Sequence, residues 1–336
     1  MAADLGGPHD DGELDGLIRR ADLDDLVRHV DATCAARDWD HLVRVRDRAR
    51  AAVDTGRQLW PIATLANHRL ALWAPARSAV RALDDTARTF MPGPVSEILA
   101  VHHTWADLAP HLPPGHDRSL VAHERALRGD RIPDGEMSVL DMPFALQPWE
   151  PTYVTAGYGD DGVDSPAPLL PRPHVAAAPP ATSPQILGDD DTVSAFRMLV
   201  EPWTSQSNGT AQCAVVEGGI EDALALAGDK LTLSPVTPAD ALSLLAWAGA
   251  SGGAHGRRRG LATGRSNAWW FLASFTGLAG EQSLTPADLG AVVATLRCAV
   301  FAGADDSGAG AEWSLRLALE DPHEGVACLL AADDFV

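Results

Sequence analysis

Apolar residues recur at helical spacing through the first third of the chain. Leu14, Leu17 and Ile18, then Leu23, Leu26, Val27 and Val30, repeat with a period near 3.6 and predict amphipathic helices from residue 13 onward. Residues 38–53 predict another, with Trp39, Leu42, Val43, Val45 and Ala49 apolar. Its arginines, Arg44, Arg46, Arg48 and Arg50, are expected to be solvated and paired with Asp47 and Asp54. Trp60-Pro61 opens a further helix, because proline suits a first turn. Pro75 opens the next, running through Val80 and Leu83. After Pro92-Gly93-Pro94 the pattern resumes over 96–108 and again over 119–128. Short amphipathic helices joined by Pro/Gly turns predict a helical bundle or solenoid-like array, without a fixed repeat.

From 132 to 191 prolines crowd the chain and no period survives. This reads as an irregular segment with one short strand at 152–156, ending in a mobile linker over 171–191. Residues 195–200 and 212–216 then read as strands joined through Ser207-Asn208-Gly209, a hairpin turn signal. Residues 219–227 read as a short helix. Thr237-Pro238-Ala239-Asp240 and Thr285-Pro286-Ala287-Asp288 are one helix-start device used twice, a threonine cap, a first-turn proline and a third-position aspartate. They predict helices through Trp247 and through Phe301. Residues 313–319 and 326–332 read as two strands around the turn Asp321-Pro322-His323-Glu324-Gly325. The expected class is α+β. A disordered terminus (1–12) precedes an all-helical half (13–131), then comes the Pro-rich segment and linker (132–191). An α+β domain with a small antiparallel sheet (192–336) completes the chain.

Composition narrows the function classes. The chain has 336 residues, 46% hydrophobic, with a formal net charge of −20. Such charge opposes non-specific binding to nucleic acid or to an anionic membrane, and neither partner is expected. The basic side is 25 arginines and one lysine, Lys230, a codon-composition effect of a GC-rich genome. Cys34, Cys213, Cys298 and Cys328 are far apart with no CxxC pair, which fits free thiols in a reducing cytoplasm. The acidic N-terminus resembles no secretory signal, and no apolar run reaches the ~18–20 residues of a membrane span.

The candidate chemistry centres on residues 246–280, AWAGASGGAHGRRRGLATGRSNAWWFLASFTGLAG. Gly252, Gly256, Gly260 and Gly264 recur every fourth residue. On a helix they would form a smooth stripe for close backbone approach, although each glycine costs roughly 0.8–1 kcal/mol there. The rival reading is a glycine-rich loop before a helix starting near Ser266. There His255, Arg257, Arg258, Arg259 and Arg265 would bind an anion or form interdomain salt bridges. The phosphate-loop pattern itself fails in glycine spacing, with arginine where lysine is required. Trp269 and Trp270 are interface candidates.

Other clusters are weaker. His102 and His103 are adjacent and cannot share a helix face, while His103 and Asp107 stand four apart. His123-Glu124-Arg125, and Glu320, Asp321, His323 and Glu324, read as polar packing and turn chemistry. No catalytic motif occurs, so no catalytic residue, metal or cofactor is assigned.

Several blocks resemble an uncharacterised family of actinobacterial proteins, a domain of unknown function. They are Gly56-Arg57-Gln58-Leu59-Trp60-Pro61, His68-Arg69-Leu70-Ala71-Leu72 with Ala74-Pro75, and His123-Glu124-Arg125. Ala248 through Gly260 and Arg316-Leu317-Ala318-Leu319-Glu320-Asp321-Pro322 belong with them. The resemblance implies a GC-rich actinobacterial source and a cytoplasmic protein, and carries no activity. Two functions are expected to compete. One is a non-enzymatic scaffold or adaptor with a protein partner or self-association. The other is an enzyme or sensor that binds a small anionic metabolite at 252–265.

Overall fold

Polar caps and apolar stripes set the helices of the first part. In the computed structural model of the protein the described residues are 11–85, 90–160, 162–177, 183–228, 230–281, 285–303 and 313–335. They divide into two units. The first takes residues up to Met137 together with Gly157–Asp164, and the second takes Ser138–Ala156 and everything from Ser165. The Pro-rich segment is thus shared between the units rather than standing apart as 132–191.

In the first unit, α1 (Asp11–Arg20) begins inside the stretch expected to be disordered; residues 1–10 lie outside the described set. The series continues with α2 (Leu23–Ala35), α3 (Trp39–Asp54), α4 (Trp60–Trp73) and the single turn α5 (Ala76–Ala79). Asp22 and Asp38 cap α2 and α3 by accepting first-turn amides. The helix expected over 96–108 is two, α6 (Val95–His102) and α7 (Trp105–Leu108). His103 is extended between them, and Thr104 with Asp107 forms a capping box that restarts the helix. The unit closes with α8 (His116–Leu127) and the hairpin β1 (Gly157–Gly159) and β2 (Gly162–Asp164). The expected strand at 152–156 is absent, and the hairpin lies just beyond it.

Arg46 departs from the solvated role expected of the α3 arginines. It is 5% exposed, and it donates to Asp47, to the Asn67 side chain and to the Arg81 carbonyl. Arg50 reaches Asp85 rather than Asp54.

The second unit is built on a seven-stranded antiparallel sheet, larger than the small sheet expected. Its strands are β3 (Val175–Ala176), β4 (Gln185–Leu187), β5 (Thr210–Glu217), β6 (Thr232–Val236), β7 (Arg297–Ala302), β8 (Trp313–Asp321) and β9 (Val326–Asp334). The order is β3-β6-β7-β8-β9-β5-β4, with Leu317 opposite Leu330 at the centre. The helices are α9 (Asp190–Leu199), α10 (Glu201–Ser205), α11 (Ile220–Leu224), α12 (Pro238–Ala250), α13 (Leu261–Phe275) and α14 (Pro286–Val293). Ile220, Ala223 and Leu224 of α11 pack with Ala318, Ala327 and Leu329 on one sheet face. α9 and α12 meet the sheet as well, and α13 packs on both of those helices.

The second unit departs from the sequence expectations at four places. Residues 195–200 belong to α9, because buried Thr192, Ala195, Phe196 and Leu199 follow helical spacing and Asp189 caps the start. Ser207-Asn208-Gly209 therefore joins a helix to β5. The helix opened by Thr285 stops at Val293. Residues 297–302 are strand β7, where β-branched and aromatic side chains pair between β6 and β8. The expected linker over 171–191 supplies both sheet edges, β3 and β4, and the start of α9; residues 178–182 lie outside the described set.

Candidate functional site

The stretch 246–280 is neither one helix nor an open ligand loop. α12 ends at Ala250, Ser251 to Gly260 form a packed turn, and α13 begins at Leu261. The glycines serve close approach between backbones. A Cβ on Gly249 would stand 3.2 Å from the Gly264 Cα, and one on Gly264 would collide with the Ala246 carbonyl and the Ala250 amide. The two helices cross through these hydrogens. Gly253, at φ +68°, sits against the buried carboxylate of Asp334, which accepts the Ala254 amide at 2.7 Å.

The arginines are built into the same packing. Arg259 donates to the Gly249 carbonyl at 3.0 Å, to the Met198 carbonyl at 2.9 Å and to the Leu199 carbonyl, closing the C-terminal ends of α12 and α9. Burial lowers its pKa from the usual guanidinium value. Arg258 donates to the Ser165 hydroxyl at 2.7 Å. Arg257 and His255 are exposed, with the Arg257 amide bonded to Gln206.

Arg265 and Glu150 form an ion pair whose side chains are both fully buried. Nε and Nη2 reach the carboxylate at 2.7 and 2.6 Å, Nη1 donates to the Pro143 and Phe144 carbonyls, and Nη2 also donates to that of Ala145. Glu150 also accepts from Trp269 at 3.1 Å, Tyr153 at 2.7 Å and the Gln147 amide at 2.8 Å. Every polar demand of the pair is met inside the unit, as a buried charge requires. Burial, then the Glu150 charge, raises the Tyr153 hydroxyl well above its ordinary pKa.

This pair underlies a groove of about 570 Å³ in the second unit. Trp269 lines it at 7% exposure and meets Trp149 at a tilt of 37°, with ring centroids 4.9 Å apart. Trp149 donates to the Pro286 carbonyl at 3.0 Å and fills the space beside Gly290, where no side chain could enter. Trp270 is 48% exposed, and Met198 and Val139 are exposed beside it. Asp141 and Glu281 stand exposed on the rim, and the described lining carries no Lys, Arg or His. Trp269 and Trp270 thus share the groove, while His255, Arg257, Arg258, Arg259 and Arg265 lie outside its lining.

Met142, Val139, Asp141 and Glu281 were invisible to local sequence reading. They come from segments far apart in the chain, and only the aromatics of the Pro-rich region, Trp149, Tyr153 and Tyr158, suggest that it packs in part onto a domain.

The remaining clusters lie outside the groove. Asp107 is engaged in its capping box and does not face His103 from one helix. Its carboxyl is held below the usual range by the Thr104 side-chain and backbone bonds. Burial, then the His102 charge, lowers the His103 pKa. Glu124 pairs with Arg128, and Arg125 with Asp130. Glu320 accepts from Arg297 and the Ile220 amide, and Asp321 accepts the His323 and Glu324 amides of the turn. Among the described residues no three His, Cys, Asp or Glu side chains gather to hold a metal ion. No helix is long and apolar enough to cross a membrane among them.

No curated protein and no solved structure matches the chain. A match to one family extends over residues 24–335, taking in both units, the groove and the Arg265–Glu150 pair. The chain belongs to the family described as "Family of unknown function (DUF6183)".

Proposed function

We propose that this chain is a non-enzymatic interaction protein, a scaffold or adaptor whose working surface is the groove at Trp270. The supporting observation is a mostly apolar groove lined by a half-exposed tryptophan and two exposed carboxylates. Aromatic anchors in a preformed apolar hollow carry much of the energy of protein recognition.

The second reading, a small anionic ligand at 252–265, draws on the exposure of Arg257 and His255, while Arg258, Arg259 and Arg265 donate to internal partners. We also take the source to be actinobacterial and the location cytoplasmic. The arginine-rich composition and four free cysteines support this. A photoreactive phenylalanine analogue at position 270, with position 257 as reference, tests the main reading in host cells. A protein cross-linked from 270 and not from 257 is expected. No protein product from 270, with a retained anionic metabolite lost in Arg257→Ala and Arg258→Ala, would replace the reading with the second.

A further inference from the structure

The chain carries, on the same unit as the groove, an exposed proline-rich segment. Residues 166–173, Pro-Ala-Pro-Leu-Leu-Pro-Arg-Pro, have neither helix nor strand. The segment is fixed at both ends. Ser165 gives its carbonyl to Trp247 at 3.2 Å and its hydroxyl to Arg258 at 2.7 Å. At the other end the Arg172 carbonyl accepts from Ser234 at 2.8 Å, and the His174 amide bonds the Leu233 carbonyl. Between these anchors Leu169 is fully exposed at 101%, and Pro171 and Arg172 are exposed too. None of 166–173 lines the groove of its own chain.

We propose that the groove of one molecule receives residues 166–173 of a second copy, giving head-to-tail self-association. The inference rests on the groove reading above and names its occupant. Proline-rich segments dock in aromatic-lined grooves because their extended form is already ordered before binding, so little conformational entropy is lost. Leu169 supplies the apolar anchor beside Trp270. Arg172 supplies the one charge that suits a rim of Asp141 and Glu281 without basic neighbours. A face-to-face contact of two grooves would instead oppose four carboxylates. Segment and groove are different surfaces, so reciprocal exchange closes a two-fold dimer and one-way exchange builds rings or filaments.

Sedimentation of four samples tests this: wild type, Leu169→Asp, Trp270→Ala, and an equimolar mixture of the two variants. Both substituted side chains project from the surface, and circular dichroism checks that each variant folds. Wild type is expected to exceed the 35.4 kDa of one chain and to grow with concentration, and each variant alone is expected to stay a monomer. The mixture should recover a species of about twice 35.4 kDa that grows no further, because Leu169→Asp retains a groove and Trp270→Ala retains a segment.

A labelled peptide of residues 164–175 should bind the Leu169→Asp protein, and an Arg172→Glu version should bind about tenfold more weakly. A wild type that remains monomeric, a mixture that does not recover, or a peptide that fails to bind would each overturn the proposal. Should position 270 cross-link some other protein while the peptide fails, the groove reading stands and self-association falls. Should both fail, both fall.

Discussion

The Glu150 side chain accepts five hydrogen bonds from Arg265, Trp269, Tyr153 and the Gln147 amide while fully buried, so its worth lies in never being left alone. Removing Arg265 strands the carboxylate and its neighbouring donors in a dry interior. Arg265→Ala is expected to lower stability by about 3–5 kcal/mol in urea unfolding. A loss below about 1 kcal/mol would mean that the pair is hydrated. Gly264 makes the opposite demand, for emptiness. Gly264→Ala puts a methyl into the α12 backbone and should cost about 1–3 kcal/mol by the same measurement.

His68 is buried, and burial followed by the Arg69 charge lowers its pKa from 6.5 to about 4. Above pH 6.5 it is neutral folded and unfolded, and contributes no pH dependence. Below that, the unfolded chain binds the proton first, so stability falls from pH 6.5 to about 4, by about 3 kcal/mol in all. Carboxylates such as Asp130, depressed by its Arg125 bond, add to acid lability. The His68 share is therefore read as the difference between wild type and His68→Leu. If the two lose stability in parallel across this range, the assignment is wrong.

At the scale of elements, local chemistry was a good guide wherever one signal acted alone. Thr237 and Thr285 cap their helices as the motif predicts, each in a capping box. Thr237→Ala should cost about 1 kcal/mol in thermal unfolding, with the spectrum of the folded state unchanged. Asp38, Pro61 and the 313–332 hairpin were also legible, and the α+β class with them.

Reading failed where two periods fit one run. Residues 195–200 carry enough β-branched and aromatic character for a strand, but the cap at Asp189 and the buried set Thr192, Ala195, Phe196 and Leu199 commit them to α9. After Val293, the sheet claims a segment whose own composition allows a helix. The glycines of 246–280 were legible as close-approach positions. Their geometry was not, because the contact is between two helices separated by a turn. The groove was legible only through Trp269 and Trp270, since Asp141, Met198 and Glu281 join it by tertiary packing alone.

For the whole molecule, the account rests on a division of labour within an acidic chain of net charge −20. Arg46, Arg259 and Arg265 bind the fold from within, and the groove at Trp270 is the surface proposed for association. Native mass spectrometry of the protein isolated gently from its host, beside Trp270→Asp, tests this most directly. The account predicts that wild type carries protein mass beyond one chain, and that Trp270→Asp loses it while Arg257→Ala keeps it. A bare 35.4 kDa monomer, or a retained small anion whose loss follows Arg257→Ala, would contradict it.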